Sequence, residues 1–204
     1  MSDDNQHELT SERVPTHPIH AQFTQRWSPR AFTGEALERT TLMRFLEAAR
    51  WAPSGWNAQP WRFVYGLSGT PAWQTLLDTL APFNQSWAHR ASALVLVLSN
   101  RLYKAGPGVE AVDNPTHAFD AGAAWAQLAL QAALEGWHTH GIGGFDRARA
   151  RSSLCVPEHY EVLAMVAIGR RGDAAVLPES LRAREKPSQR LPLDALIGEG
   201  RFPD

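Results

Sequence analysis

Hydrophobic positions along the chain fall into two periods. Leu42, Phe45, Leu46 and Ala49 stand at i, i+3, i+4 and i+7, one face of a helix that follows Thr40 and that Pro53 ends. Thr40 or Thr41 is placed to supply its N-cap oxygen. Trp73, Leu76, Leu77 and Leu80 predict a second helix opening at Thr70-Pro71, since proline suits the first helical position. Residues 61–65 alternate as a short strand, and residues 92–99 (SALVLVLS) form the continuous apolar run of a strand buried on both faces. Residues 118–135 carry only two charges and are apolar on most sides, which predicts a central helix closed by Gly136. Beyond it, residues 138–142 predict a strand, Asp146 caps a helix to about Leu154 that Pro157 stops, and residues 161–168 predict another buried strand. Residues 1–20 read as an arm in which Pro15 and Pro18 oppose helix, and the Pro-rich tail from Gly172 is expected to wrap over another surface. Interleaved helices and strands predict one α+β or α/β layered domain over residues 21–204.

Composition narrows the function. The chain has 204 residues, 44% apolar and 20% charged, which is enough for a sizeable core. Its net charge of −1 gives no global attraction to nucleic acid or an anionic membrane, so any anion site must come from a local cluster. The longest apolar run, residues 93–98, is too short to span a bilayer, and the N-terminus lacks a signal-peptide pattern. The single cysteine, Cys155, excludes an intrachain disulfide and fits a cytoplasmic protein; Leu154 and Val156 beside it predict a semi-buried structural thiol.

Two segments carry candidate chemistry. In Arg26-Trp27-Ser28-Pro29-Arg30, an extended backbone points both guanidinium groups and the hydroxyl one way, suited to gripping one phosphate; a solvated basic loop is the other reading. Residues 52–61 (APSGWNAQPW) form a turn rich in amides, which suits the edge of a heterocycle or simply a structural turn. His138 and His140 face one side of a strand about 7 Å apart. They lack Cys, Asp or Glu at ligand spacing and read as structural, so no metal is expected. Residues 100–116, with Gly106, Pro107 and Gly108, read as a long loop or lid whose Arg101, Tyr103 and Lys104 either meet an anionic substrate or are solvated. Of eight Trp, most belong to the core; Trp27 and Trp56 are the two admitted near a bound aromatic.

Taken in order, these segments resemble the nitroreductase family. The resemblance runs from R-x-S-x-R through A-P-S-x-x-N-x-Q-P-W, Phe119-Asp120-Ala121-Gly122 and Gly141-Ile142-Gly143-Gly144-Phe145-Asp146 to Pro187-Ser188-Gln189-Arg190-Leu191-Pro192, about residues 20–200. It implies an α+β fold with a central mixed sheet flanked by helices. It also implies an interlocked homodimer with FMN at the subunit interface and the helix of residues 118–135 as its dimer helix. Arg26, Ser28 and Arg30 would hold the FMN phosphate and ribityl chain, with Trp27 beside them and Arg190 adding charge. Ser188 stands where some members carry Lys, so one contact is expected to be missing, with Lys186 as the candidate to compensate. Pro53, Ser54, Gly55 and Asn57 would approach the flavin from the partner subunit. Ile142, Gly143 and Gly144 would pack near the ring, Gly143 replacing a Glu found in some members. NADH or NADPH would donate electrons through flavin N5 to a small aromatic, quinone or nitro acceptor in a ping-pong cycle. No catalytic side chain is required, and no Gly-x-Gly-x-x-Gly fingerprint follows a strand. A flavin-binding sensor or store, or a specialised flavin oxidase or dehalogenase on the same fold, stays open at this point.

Overall fold

The computed structural model describes residues 13–203; the first twelve residues of the expected N-terminal arm lie outside the described residues, and residues 13–20 form neither helix nor strand. In chain order the elements are α1 (Gln22–Gln25), α2 (Arg39–Arg50), β1 (Trp61–Leu67), α3 (Pro71–Leu77), α4 (Pro82–Ala88), β2 (Ala93–Asn100), β3 (Leu102–Tyr103), β4 (Val112–Asp113), α5 (His117–Leu134), β5 (His138–Ile142), α6 (Arg147–Ser153), β6 (Tyr160–Gly169) and α7 (Glu179–Arg182). The sheet that organises them has the order β1-β2-β6-β5. Every pairing in it is antiparallel: Trp61 lies opposite Ser99, Ala93 opposite Ile168 and His138 opposite Gly169. This corrects the expectation of a mixed sheet. Each connection between neighbouring strands reverses the chain, and a parallel neighbour would need a strand that the described residues do not lend to their own sheet.

The period of two along β2 explains its unbroken apolar run. Leu94, Leu96 and Leu98 join Trp73, Leu76 and Trp87 on one face, and Ala93, Val95 and Val97 join Leu42, Phe45 and Leu128 on the other. The sheet is therefore covered on both sides, by α2 and α5 on one and by the α3–α4 segment on the other, a three-layer α+β domain.

Local signals account for most element ends. Asp146 Oδ1 accepts from Arg149 N (2.9 Å), as the sequence predicts, and at the expected start of α3 Thr70 Oγ1 accepts from Trp73 N (3.3 Å). Gly136, at φ 72°, ends α5 in the left-handed conformation. The cap expected at Thr40 or Thr41 does not form. The helix begins at Arg39 with Glu38 in the capping position, and Thr41 Oγ1 instead accepts from Arg44 Nη2 (3.2 Å). The short α4 was not foreseen, and β1 runs two residues past Tyr65 through Gly66. Cys155 is exposed, which corrects the semi-buried thiol. It sits at φ 51° just after α6, where the chain reverses and buries Val156 in its place. Residues 100–116 are not a featureless loop, since β3 and β4 pair as a small hairpin. No helix among the described residues is long and apolar enough to cross a membrane.

Candidate functional site

The segment 26–30 runs beside β5, the edge strand of the sheet. His140 Nδ1 lies 2.8 Å from the Ser28 carbonyl oxygen and 3.1 Å from that of Pro29. Both partners only accept, so the Nδ1 proton is assigned to His140 as donor. The imidazole read from sequence as merely structural thus fixes the backbone of the motif.

Around this segment a cationic cluster gathers from both halves of the chain. Arg26 Nη1 donates to Ser28 Oγ (3.4 Å) and Arg190 Nη1 to Ser188 Oγ (3.0 Å). Arg13 joins them: its Nε donates to the Ser188 carbonyl (2.8 Å) and its Nη1 to the carbonyls of Arg26 (2.9 Å) and Thr24 (3.2 Å). Among the described residues, neither Arg26 nor Arg190 forms an ion pair. Burial, and then the charge of Arg190, lowers the pKa of Arg26 from its ordinary value. Arg13, which sequence reasoning missed, stands where the compensating charge for Ser188 was sought, while Lys186 is exposed.

The other residues of the motif point elsewhere. The backbone N–H groups of Arg30 and Ala31 both donate to Glu185 Oε1 (2.7 and 2.8 Å), and the Arg30 guanidinium lies 5.9 Å from the Trp87 ring centre. Trp27 is buried beneath Arg171, 5.6 Å from its ring. At the end of β5, Ile142 is buried while Gly143 and Gly144 are exposed. A Cβ on Gly143 would meet nothing within 4 Å, so this backbone is open to a flat ligand from outside. Gly144 O accepts from Asn84 Nδ2 (2.8 Å).

Residues 53–59 form a second, separate assembly. Trp56, Asn57 and Gln59 all have positive φ (50°, 53° and 46°), a conformation that side chains other than glycine resist. The turn is tied down by Asp120, itself 3% exposed, whose Oδ2 accepts from Gly55 N (3.2 Å) and Thr116 Oγ1 (2.9 Å). Ser54 Oγ accepts from Gln59 N (3.1 Å). Pro53 and Asn57 are exposed, and the exposed Trp56 ring stacks on Tyr103 at 5.5 Å and 22°. This turn leads into β1, whereas Arg26, Ser28 and Gly143 flank β5. The two assemblies therefore sit at opposite edges of the sheet, three strand spacings or about 14 Å apart.

The largely buried imidazoles of β5, His138 and His140, give the domain a pH dependence. Desolvation first, and then neighbouring guanidinium groups, push His138 and His140 down to about 4 from 6.5. Between pH 6.5 and 4 the unfolded chain binds protons that the folded chain refuses. Stability is therefore full above pH 6.5 and is lost as pH falls toward 4, on the order of 3 kcal/mol for each imidazole. Urea unfolding at several pH values is expected to show this slope. His138→Leu, which removes a ring whose Nδ1 has no partner, is expected to flatten it by about half; an unchanged slope would refute the assignment.

A model of the nitroreductase family matches residues 23–170. A crystal structure of an oxidoreductase containing FMN is 43% identical and superposes with a TM-score of 0.91 over 95% of this chain and 97% of that one. An NADH dehydrogenase of Thermus thermophilus is 30% identical over 90% of this chain and 97% of its own length. A nitroreductase family protein from Clostridium difficile, at 20% identity and a TM-score of 0.68, shares the fold.

Proposed function

The chain belongs to the nitroreductase family, and from that premise we propose that it is an FMN-dependent oxidoreductase that takes electrons from NADH or NADPH and passes them to a small aromatic, quinone or nitro acceptor. The observation that carries the reading is the meeting of Arg26, Ser28, Ser188 and Arg190 alongside β5, the strand that runs out into the open backbone of Gly143. Guanidinium groups crowded together in a partly buried place, with hydroxyls between them, are matched by a phosphate dianion. An exposed glycine turn at the end of a strand accepts a planar ring. FMN carries both features in one molecule, and the residues fit it.

When bound, FMN supplies the redox chemistry by taking up and releasing electron pairs. The chain's own work is to bind and orient. Arg26, Ser28 and Arg190 anchor the phosphate, and Ser188 shares its hydroxyl there. Arg30, with Trp27 packed behind the segment, sets the course of residues 26–30. Ile142, Gly143 and Gly144 form the wall beside the ring. No side-chain nucleophile or base is assigned, and donor and acceptor would use the same face in turn, a ping-pong cycle.

The second half of the site, Pro53, Ser54, Gly55 and Asn57, is assigned to the partner subunit of a homodimer. Its separation from Arg26 across the sheet leaves it too distant to serve the same chain's phosphate cluster. The outward face of α5 supports a partner: Phe119 is 81% and Leu134 61% exposed, with the exposed Gly122 and Ala126 between them. Leu191, Ile197 and Phe202 of the tail are likewise exposed, and such apolar surface marks an association face. A cytoplasmic location is proposed from the lone thiol, and cell fractionation tests it.

The test is an anaerobic visible spectrum of the purified protein before and after nicotinamide addition, with sedimentation of the same sample. Flavin bands near about 450 nm that bleach with one nucleotide, on a particle of twice the chain mass, are the expected result. Bands that persist with both nucleotides would mean a sensor or a specialised oxidase. A colourless protein that takes up no added FMN would overturn the cofactor assignment.

A further inference from the structure

The guanidinium of Arg13 has a consequence beyond anchoring the arm. It reaches across the gap between residues 24–26 and residue 188, two stretches that no local sequence pattern joins. Nε and Nη1 are spent on the carbonyl groups of Ser188, Arg26 and Thr24, while Nη2 lies 3.5 Å from Ser188 Oγ, the hydroxyl that also accepts from Arg190. Arg13 and Arg190 thus share one hydroxyl, and Arg26 carries the carbonyl that Arg13 holds. The three guanidinium groups are close enough for their charges to interact, with Ser188 Oγ between Arg13 and Arg190 and Ser28 Oγ on Arg26. Like charges brought this close repel one another, and an anion seated among them reverses the sign of the interaction.

We infer that Arg13 is a third arginine of the phosphate site, closing over the cofactor's phosphate from the N-terminal side and slowing its escape. This rests on the FMN reading above and adds to it a residue and a direction of approach. The role is held by charge rather than by shape. The stretch that follows Arg26 is held by contacts of its own, since His140 binds the carbonyls of Ser28 and Pro29 and Glu185 the N–H groups of Arg30 and Ala31.

Binding of FMN and of riboflavin, which lacks the phosphate, separates the possibilities. The full chain, stripped of flavin, is titrated with each ligand and followed by flavin fluorescence, for the wild type and for Arg13→Gln and Arg13→Lys. The expected result is a loss of about 10- to 100-fold in FMN affinity for Arg13→Gln, the range of one charge-assisted contact. Arg13→Lys should lose less than about fivefold, because a compact ammonium keeps the charge. Riboflavin binding should be the same in all three. Wild-type FMN affinity in Arg13→Gln would overturn the inference while leaving the FMN site standing. So would an Arg13→Lys as weak as Arg13→Gln, which marks a purely structural clamp, or an equal loss of riboflavin binding. A wild type that binds FMN no better than riboflavin would overturn the phosphate site itself, and Arg13 with it.

Discussion

Replacing Arg26 by Met is expected to weaken FMN binding by about two orders of magnitude and, in the same variant, to raise the melting temperature of the flavin-free protein. The first effect follows from the strength of a charge-assisted bond to phosphate, roughly 1.5–3 kcal/mol, with about 1.4 kcal/mol to each factor of ten. The second follows from the company Arg26 keeps. Burial first, and then the charge of Arg190, lowers the pKa of both Arg26 and Arg13, with Arg26 adding to the shift of Arg13; the charge contributions mark mutual repulsion. Without the anion, this repulsion is a cost of folding. Met preserves the partly buried stem and removes the charge, so the apoprotein gains while the holoprotein loses. A gain of about 1 kcal/mol would appear as roughly 2–4 °C. Fluorescence titration and calorimetry of the same preparation read the two effects. Unchanged FMN affinity would remove Arg26 from the site, and a lower apoprotein melting temperature would show that its packing outweighs its repulsion.

Gly66→Ala is expected to be the most damaging small substitution in the sheet. Gly66 is buried in β1 where the first turn of α3 crosses the strand, and a Cβ there would overlap the backbone N and Cα of Trp73 and come within 2.7 Å of the Ala72 carbonyl carbon. Backbone cannot rotate away as a side chain can. Relief requires lifting α3, and with it the buried Trp73, Leu76 and Leu77, off the sheet. The expected loss is about 3 kcal/mol, at the upper end for overpacking, or roughly 6–12 °C in melting temperature. Gly143→Ala is the control, because a Cβ there meets nothing; apoproteins of equal stability for the two variants would contradict the packing argument.

Both predictions mark where reading the sequence succeeded and where it stopped. The period of 3.6 found the buried face of α2, and the period of 2 hidden in SALVLVLS resolved into the two faces of β2, because burial patterns are local and repeat. The cap at Asp146 was legible for the same reason, being a side-chain oxygen one turn from its donor, and the start of α3 was legible from Pro71. Gly66 was not legible as a close approach, since a glycine at the end of an alternating run also looks like the start of a turn. The cap of α2 was misread because two threonines stood near a start that Glu38 occupies. Within the candidate site, the order of motifs pointed to Arg26, Ser28, Ser188 and Arg190, which the fold brings together. Arg13, His140 and Glu185 were missed as site residues, and each acts through a contact that spans a hundred residues or more or through a backbone carbonyl or amide that carries no residue identity. Arg30, two residues from Ser28 in sequence, has its guanidinium over Trp87 while its backbone N–H donates to Glu185.

The bond from Arg13 to the Ser188 carbonyl joins residues 175 positions apart. At a synthesis rate of roughly 5–20 residues per second, the ribosome needs on the order of ten seconds to supply the second partner after the first. During that interval β1, β2, α5, β5 and β6 all become available to pair and collapse, while the anion cradle cannot yet exist. The phosphate cradle is thereby the last part of the proposed site to be completed, on a sheet whose strands have all been made, and a nascent chain stalled before residue 188 is expected to hold FMN more weakly than the full chain.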